Sequence, residues 1–140
     1  MKQFAVIGDP IAHSLSPILH QEVYRQLNLD ASFEKIHLMP NALHSFMNVN
    51  ELDGFNVTIP YKQSVIPFLD ELDESAQTIG AVNCVHDGKG YNTDWIGFTK
   101  AMEQNGISLN GKDYIILGSG GAARAIAFGL VKFGAKSISI

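Results

Sequence analysis

Two sets of residues have the types and spacing to do chemistry. The first is Gly118-Ser119-Gly120-Gly121-Ala122-Ala123, which follows the apolar run Tyr114-Ile115-Ile116-Leu117. Such a loop between a strand and a helix binds a dinucleotide pyrophosphate. Gly118 permits the tight turn, Gly120 lets the backbone approach the phosphates, and Ala123 lets the helix pack close to the strand. The helix N-terminus adds free N–H groups and the positive end of its dipole. Gly118, Ser119, Gly120, Gly121, Ala122 and Ala123 are therefore the candidate cofactor-binding residues. The residue that would read the ribose falls at or just after Ile140, so these residues leave NAD and NADP both open.

The second set is a series of polar residues at strand ends and helix starts: Ser14, Ser16, Asn56, Thr58, Lys62, Asn83, Asn92, Thr93 and Asp94. In an open α/β sheet, ligands bind outside the carboxyl ends of the strands, where these residues would converge. Singly, each residue has an ordinary structural explanation: Ser16 and Asp94 as helix N-caps, Thr58 as a strand residue, Lys62 as a solvated first-turn lysine.

The elements that must position these residues follow from pattern. Phe4–Ile7 is a short apolar run closed by Gly8-Asp9-Pro10, and predicts a buried strand. Ser16-Pro17 opens a helix with Leu19, Val23 and Leu27 at helical spacing. Strands are expected at about 33–38 and 54–59, with helices at about 40–48, 61–69, 74–79 and 95–104. Asp87-Gly88 predicts a hairpin between strands at 81–86 and 90–92. A polar stretch, Ile107–Lys112, precedes a strand at 113–117, a helix to Phe133 ended by Gly134, and a strand from Ser137. Alternating strands and helices predict an α/β fold with a largely parallel sheet.

Composition removes several classes of function. The 140 residues are 46% apolar and 17% charged, an ordinary globular balance. Ten Lys and Arg against 14 Asp and Glu give a net charge of −4 with no basic run, which argues against a nucleic-acid or anionic-membrane surface. No apolar stretch approaches the ~18 residues of a membrane span. The Met1–Pro10 segment reads as a strand, not a signal peptide. One cysteine, Cys84, allows no internal disulfide or cysteine-rich zinc site, so a reducing, cytoplasmic setting is expected. The five histidines show no metal-ligand spacing, and no metal is expected. The acidic patch Asp70-Glu71-Leu72-Asp73-Glu74 reads as a solvated helix boundary.

Five segments together resemble the shikimate dehydrogenases. Gly8-Asp9-Pro10-Ile11-Ala12-His13-Ser14-Leu15-Ser16-Pro17 is similar to that family's opening signature, and Asn56-Val57-Thr58-Ile59-Pro60-Tyr61-Lys62 to its lysine motif. Gly80-Ala81-Val82-Asn83, Tyr91-Asn92-Thr93-Asp94-Trp95-Ile96-Gly97 and Gly118–Ala125 follow in the family's order. The resemblance implies reversible NADPH-dependent reduction of 3-dehydroshikimate to shikimate, on the route to chorismate and the aromatic amino acids. It implies a catalytic pair, Lys62 and Asp94. Ser14 and Ser16 would bind the substrate carboxylate, and Thr58, Asn83 and Asp94 the ring hydroxyls, with Lys62 among them.

Asp9, Tyr61 and Cys84 depart from the family's usual Asn, His and Thr, without removing a group assigned to substrate. The resemblance divides the chain into a substrate-binding catalytic domain with its linking helix, residues 1–106, and the start of an NADP-binding Rossmann domain, 107–140. That second segment holds only one strand-helix-strand, so the chain is expected to be truncated and inactive alone. Its uncovered apolar faces favour self-association or local disorder. A quinate/shikimate dehydrogenase and a non-catalytic substrate-binding fragment are the alternatives.

Overall fold

Strand β1 (Lys2–Gly8) is followed by helix α1 (Ser16–Gln26), β2 (Ala31–His37) and α2 (Leu43–Val49), the last entered through a 3-10 turn at Pro40–Ala42. Next come β3 (Gly54–Val57), a 3-10 turn at Ile66–Phe68, β4 (Glu71–Leu72) and α3 (Glu74–Ile79). β5 (Cys84–His86), β6 (Lys89–Tyr91) and α4 (Asp94–Gln104) precede a strand-helix-strand of β7 (Asp113–Ile115), α5 (Gly121–Lys132) and β8 (Ser137–Ser139). The structure, a computed structural model, describes residues 1–140.

Six strands form one sheet in the order β2-β1-β3-β5-β6-β4, and β7 and β8 pair parallel in a second. The fold is α/β, but the main sheet is mixed where a largely parallel one was expected. β1 lies parallel to β2 and β3, whereas β5 runs antiparallel to β3 and β6. The hairpin explains the reversal. Asp87 and Gly88 both adopt positive φ (48° and 70°), and a two-residue turn can only return the chain antiparallel.

The pleat sends alternate residues of β1 to opposite faces. Ile7 joins Phe55, Val57, Val65, Val82 and Val85 in the larger core, while Val6 packs with Ile11 and Phe33 on the other face. A third cluster, Ile79, Ala81 and Ala125, docks α5 against α3 and the loop after it, and Phe128 meets Trp95 of α4 edge-on. Apolar residues on and flanking α1 (Leu15, Ile18, Leu19, Val23, Leu27) and in the second unit (Ile115, Leu117, Val131, Phe133) remain exposed. No helix is long and apolar enough to cross a membrane.

The helix expected at 61–69 does not form. Turns run through that stretch to the 3-10 segment at Ile66–Phe68. Pro67 accounts for this, because within an α-helix it would lack a donor and clash with the carbonyl one turn back. The acidic patch resolves as read: Asp73 caps α3, accepting from the Ser75 and Ala76 N–H groups.

Candidate active site

The parallel pairing of β1 and β3 brings their carboxyl ends to one sheet edge, so the loops that leave them run side by side. Thr58 N–H donates to Ile7 O at 3.0 Å and Asp9 N–H to Ile59 O at 2.9 Å. This contact requires Gly8, since a Cβ there would lie 2.5 Å from Thr58 Cγ2 and 3.0 Å from Ile59 O. Tyr61, within the lysine motif, is buried, and its hydroxyl donates to Leu38 O. Burial, with the nearby Asp9 charge, pushes its phenol above the usual range.

Lys62 and Asp94 form an ion pair, Nζ to Oδ2 2.5 Å, with side chains 17% and 30% exposed. Asp94 Oδ1 accepts from Asn83 Nδ2 at 2.9 Å, and Asn83 also donates to Thr93 Oγ1. Asn83 Oδ1 accepts from the Thr93 N–H at 2.8 Å. The expected cap at Asp94 is corrected: Thr93 occupies the N-cap position and Asp94 begins the helix. Asn92 supplies the bond a cap would make, its Oδ1 accepting from Asp94 N–H at 3.1 Å while Nδ2 donates to Ala81 O at 2.9 Å. Freed from capping, the Asp94 carboxylate turns to the lysine. The Asn-x-Asp spacing carried this signal, because an asparagine side chain bonds the N–H two residues on.

The expected cap at Ser16 is corrected too: Ser16 lies inside α1, with Leu15 at the N-cap position and no side-chain cap bond there. Ser14 Oγ accepts from Ser16 N–H at 3.3 Å, and its hydroxyl donates to Ser16 Oγ at 3.2 Å. Both hydroxyls thus sit together where the loop leaving β1 enters α1. That loop is tied to β2 by two side chains: Lys35 Nζ donates to Ala12 O at 2.6 Å, and His37 Nε2 lies 2.7 Å from Asp9 Oδ1. Asn56 departs from the set, its amide lying 3.3 Å from His20 Nε2 on the α1 side of the sheet. Cys84 is partly buried, and that burial pushes its thiol up.

A cavity of about 650 Å³ lies between the lysine motif and the glycine loop, lined by Thr58, Lys62 and Gln63 on one side and Gly118 and Gly120–Ala123 on the other. The loop fits a dinucleotide pyrophosphate. Gly118 has φ +131°, which favours glycine, and a Cβ built at Gly118 or Gly120 would enter open space. Ser119 is not among the lining residues, and its carbonyl accepts from Arg124 Nε. Gln63 is the lining residue that pattern did not single out, having no signal beyond its place beside Lys62. No cluster of three or more His, Cys, Asp or Glu could hold a metal ion.

A lysine–carboxylate pair facing a glycine loop at a helix N-terminus is an arrangement that can hold a dinucleotide pyrophosphate and pass a proton to an oxygen beside it. The sequence pattern of the shikimate dehydrogenase substrate binding domain matches residues 6–85, and the chain belongs to that family. It is 47% identical over 146 residues to shikimate dehydrogenase (NADP(+)) of Nitrosopumilus maritimus (strain SCM1), an alignment covering 99% of this chain and 54% of that protein. Shikimate dehydrogenase 1 of Peptoclostridium difficile superposes with TM-score 0.93 at 30% identity, over 99% of this chain and 54% of that one. The shikimate 5-dehydrogenase of Thermus thermophilus in complex with NADP(H) and shikimate gives TM-score 0.85 at 39% identity, over 99% and 55%. The chain spans about half the length of the curated relatives it matches.

Proposed function

We propose that this chain contributes the substrate site of an enzyme interconverting 3-dehydroshikimate and shikimate with NADP(H). The observation that carries this reading is the Lys62–Asp94 pair, 2.5 Å apart, on the wall of a cavity shared with the glycine loop. Residues 1–106 act as the substrate domain with its linking helix, and 107–140 as the opening of the dinucleotide domain. The NADP dependence of the relatives favours NADP over NAD. The biosynthetic role and the single unpaired Cys84 fit a cytoplasmic setting. The exposed Ile115, Leu117, Val131 and Phe133 favour self-association of the isolated chain.

Gly118, Gly120 and the first turn of α5 would hold the pyrophosphate, and the dinucleotide, when bound, would supply the hydride. As the ketone carbon is reduced, negative charge gathers on its oxygen. Lys62 Nζ stabilises that charge and delivers a proton to it; in the oxidising direction the same nitrogen receives the hydroxyl proton. Asp94 holds the ammonium at one position, and Asn83 fixes the carboxylate through Oδ1. Ser14 and Ser16 offer two adjacent hydroxyls to the substrate carboxylate, while Thr58, Asn83 and Asp94 face the ring hydroxyls.

A chimaera carrying this chain in place of the matching half of the Nitrosopumilus maritimus enzyme tests the reading. NADP-dependent oxidation of shikimate in preference to quinate is expected. Lys62→Met in that chimaera should lower kcat by about 10²-fold or more, the usual contribution of a positioned proton donor. A folded chimaera that turns over neither substrate, or whose kcat survives Lys62→Met, would refute it.

A further inference from the structure

Beyond binding phosphate, the glycine loop touches the lysine itself. A Cβ built on Gly121 would lie 3.2 Å from Lys62 Cβ, 3.2 Å from Lys62 Cδ and 3.2 Å from Ala81 Cβ. Those separations are inside ordinary carbon contact, so the first residue of α5 and the lysine stem already fill the space between them. A Cβ on the neighbouring Gly120 would meet nothing within 4 Å. The crowding therefore belongs to Gly121 and not to the loop in general.

Both partners are anchored. α5 is held down at Ala125, fully buried against Ile79 and Ala81, and at Gly129, where a Cβ would lie 3.0 Å from Thr99 Cγ2 and 3.5 Å from Trp95 O. Gly121, Ala125 and Gly129 recur every four residues and so share one helix face. On the other side, Lys62 O accepts from Val82 N–H at 2.7 Å, and Lys62 Nζ is bonded to Asp94, which Asn83 holds in turn. The lysine stem is confined at its root, along its length and at its tip.

We infer that Gly121 is a positioning residue for Lys62: the absent side chain leaves the channel in which the lysine stem extends to Asp94. The inference deepens the proposed function and rests on it for the role of Lys62. A side chain at Gly121 displaces the stem by a few tenths of an ångström and loosens the pair. Anything that shifts the first turn of α5 is felt by Lys62 through direct contact, and the coupling is reciprocal.

Nuclear magnetic resonance on the whole chain tests this. In the unaltered protein, nuclear Overhauser contacts are expected from the Gly121 α-protons to the Lys62 β- and δ-protons. Gly121→Ala should move the Lys62 ε-methylene signal toward that of exposed Lys100 and weaken shikimate binding about tenfold, as loss of one charge-assisted hydrogen bond would. Gly97→Ala, where a Cβ meets nothing within 4 Å, should leave both unchanged. Gly121→Ala/Ala81→Gly removes the Ala81 contact and keeps only that with Lys62; it should reproduce the Lys62 shift, and it serves if the single variant does not fold. Absent Overhauser contacts, an unmoved Lys62 signal in a folded variant, or restoration by Ala81→Gly would overturn the inference. If the unaltered chain binds no shikimate, the functional reading fails, while the Overhauser contacts and the Lys62 signal still decide the positioning.

Discussion

Replacing Asn92 by alanine is expected to destabilise the fold by about 2–4 kcal/mol. Asn92 is only 2% exposed, and both ends of its amide are used, Nδ2 on Ala81 O and Oδ1 on Asp94 N–H. The bond to Asp94 N–H is worth about 1 kcal/mol net, and loss of Nδ2 leaves the Ala81 carbonyl without its partner at a cost of ~1–3 kcal/mol. Loss of the cap-like bond is comparable to removal of an N-cap, about 1 kcal/mol, so the terms agree in scale. Urea unfolding followed by the fluorescence of the single Trp95 measures the effect. With a slope of about 2 kcal/mol/M, the midpoint should fall by roughly 1–2 M. The same variant should weaken shikimate binding, because Asp94 loses the anchor that starts α4. A midpoint moved by less than about 0.2 M would refute the reasoning, showing that water replaces the amide at no cost.

Three further outcomes follow from the structure. Burial alone would raise the Asp73 carboxyl, but hydrogen bonds from the Ser75 hydroxyl and from the Ala76, Ser75 and Asn92 N–H groups outweigh it and hold it below its ordinary 3.8. Its contribution is therefore present above pH about 4 and lost as pH falls through the lower folded value; Asp73→Asn should flatten the acid limb of urea midpoints against pH, and an unchanged limb would contradict this. His20, stacked 4.0 Å from Phe33, is pushed below its ordinary 6.5 by burial, so the unfolded chain takes up the proton first and stability declines as pH drops below 6.5. A proton-resonance titration of His20 with a midpoint at or above 6.5 would contradict that sign. Ser14→Ala should weaken shikimate binding up to about tenfold, while unaltered affinity would remove Ser14 from carboxylate binding.

Much of the fold was legible because its signals are local. The apolar run ending at Gly8, the Asp87-Gly88 turn and the small-residue loop before α5 each specify their own backbone. The lysine–aspartate pair was legible through the resemblance alone, because Lys62 and Asp94 are 32 residues apart. What escaped was competition between neighbours. Ser16 and Asp94 both have the chemistry of an N-cap, yet Ser14 and Asn92 reach the relevant N–H groups from two residues earlier. Pattern also extended a helix across Pro67, where the missing donor instead breaks it into turns. The contact of Gly121 with Lys62 depends on how α5 docks against α3 and α4, information carried by tertiary packing and not by either segment.

Titration of the isotopically labelled chain with shikimate tests the central claim most directly. Saturable shifts are expected, concentrated at Ser14, Ser16, Thr58, Lys62, Asn83 and Asp94, and lost in Lys62→Met with the fold intact. Absence of saturable shifts, or shifts centred elsewhere and unaffected by Lys62→Met, would contradict it.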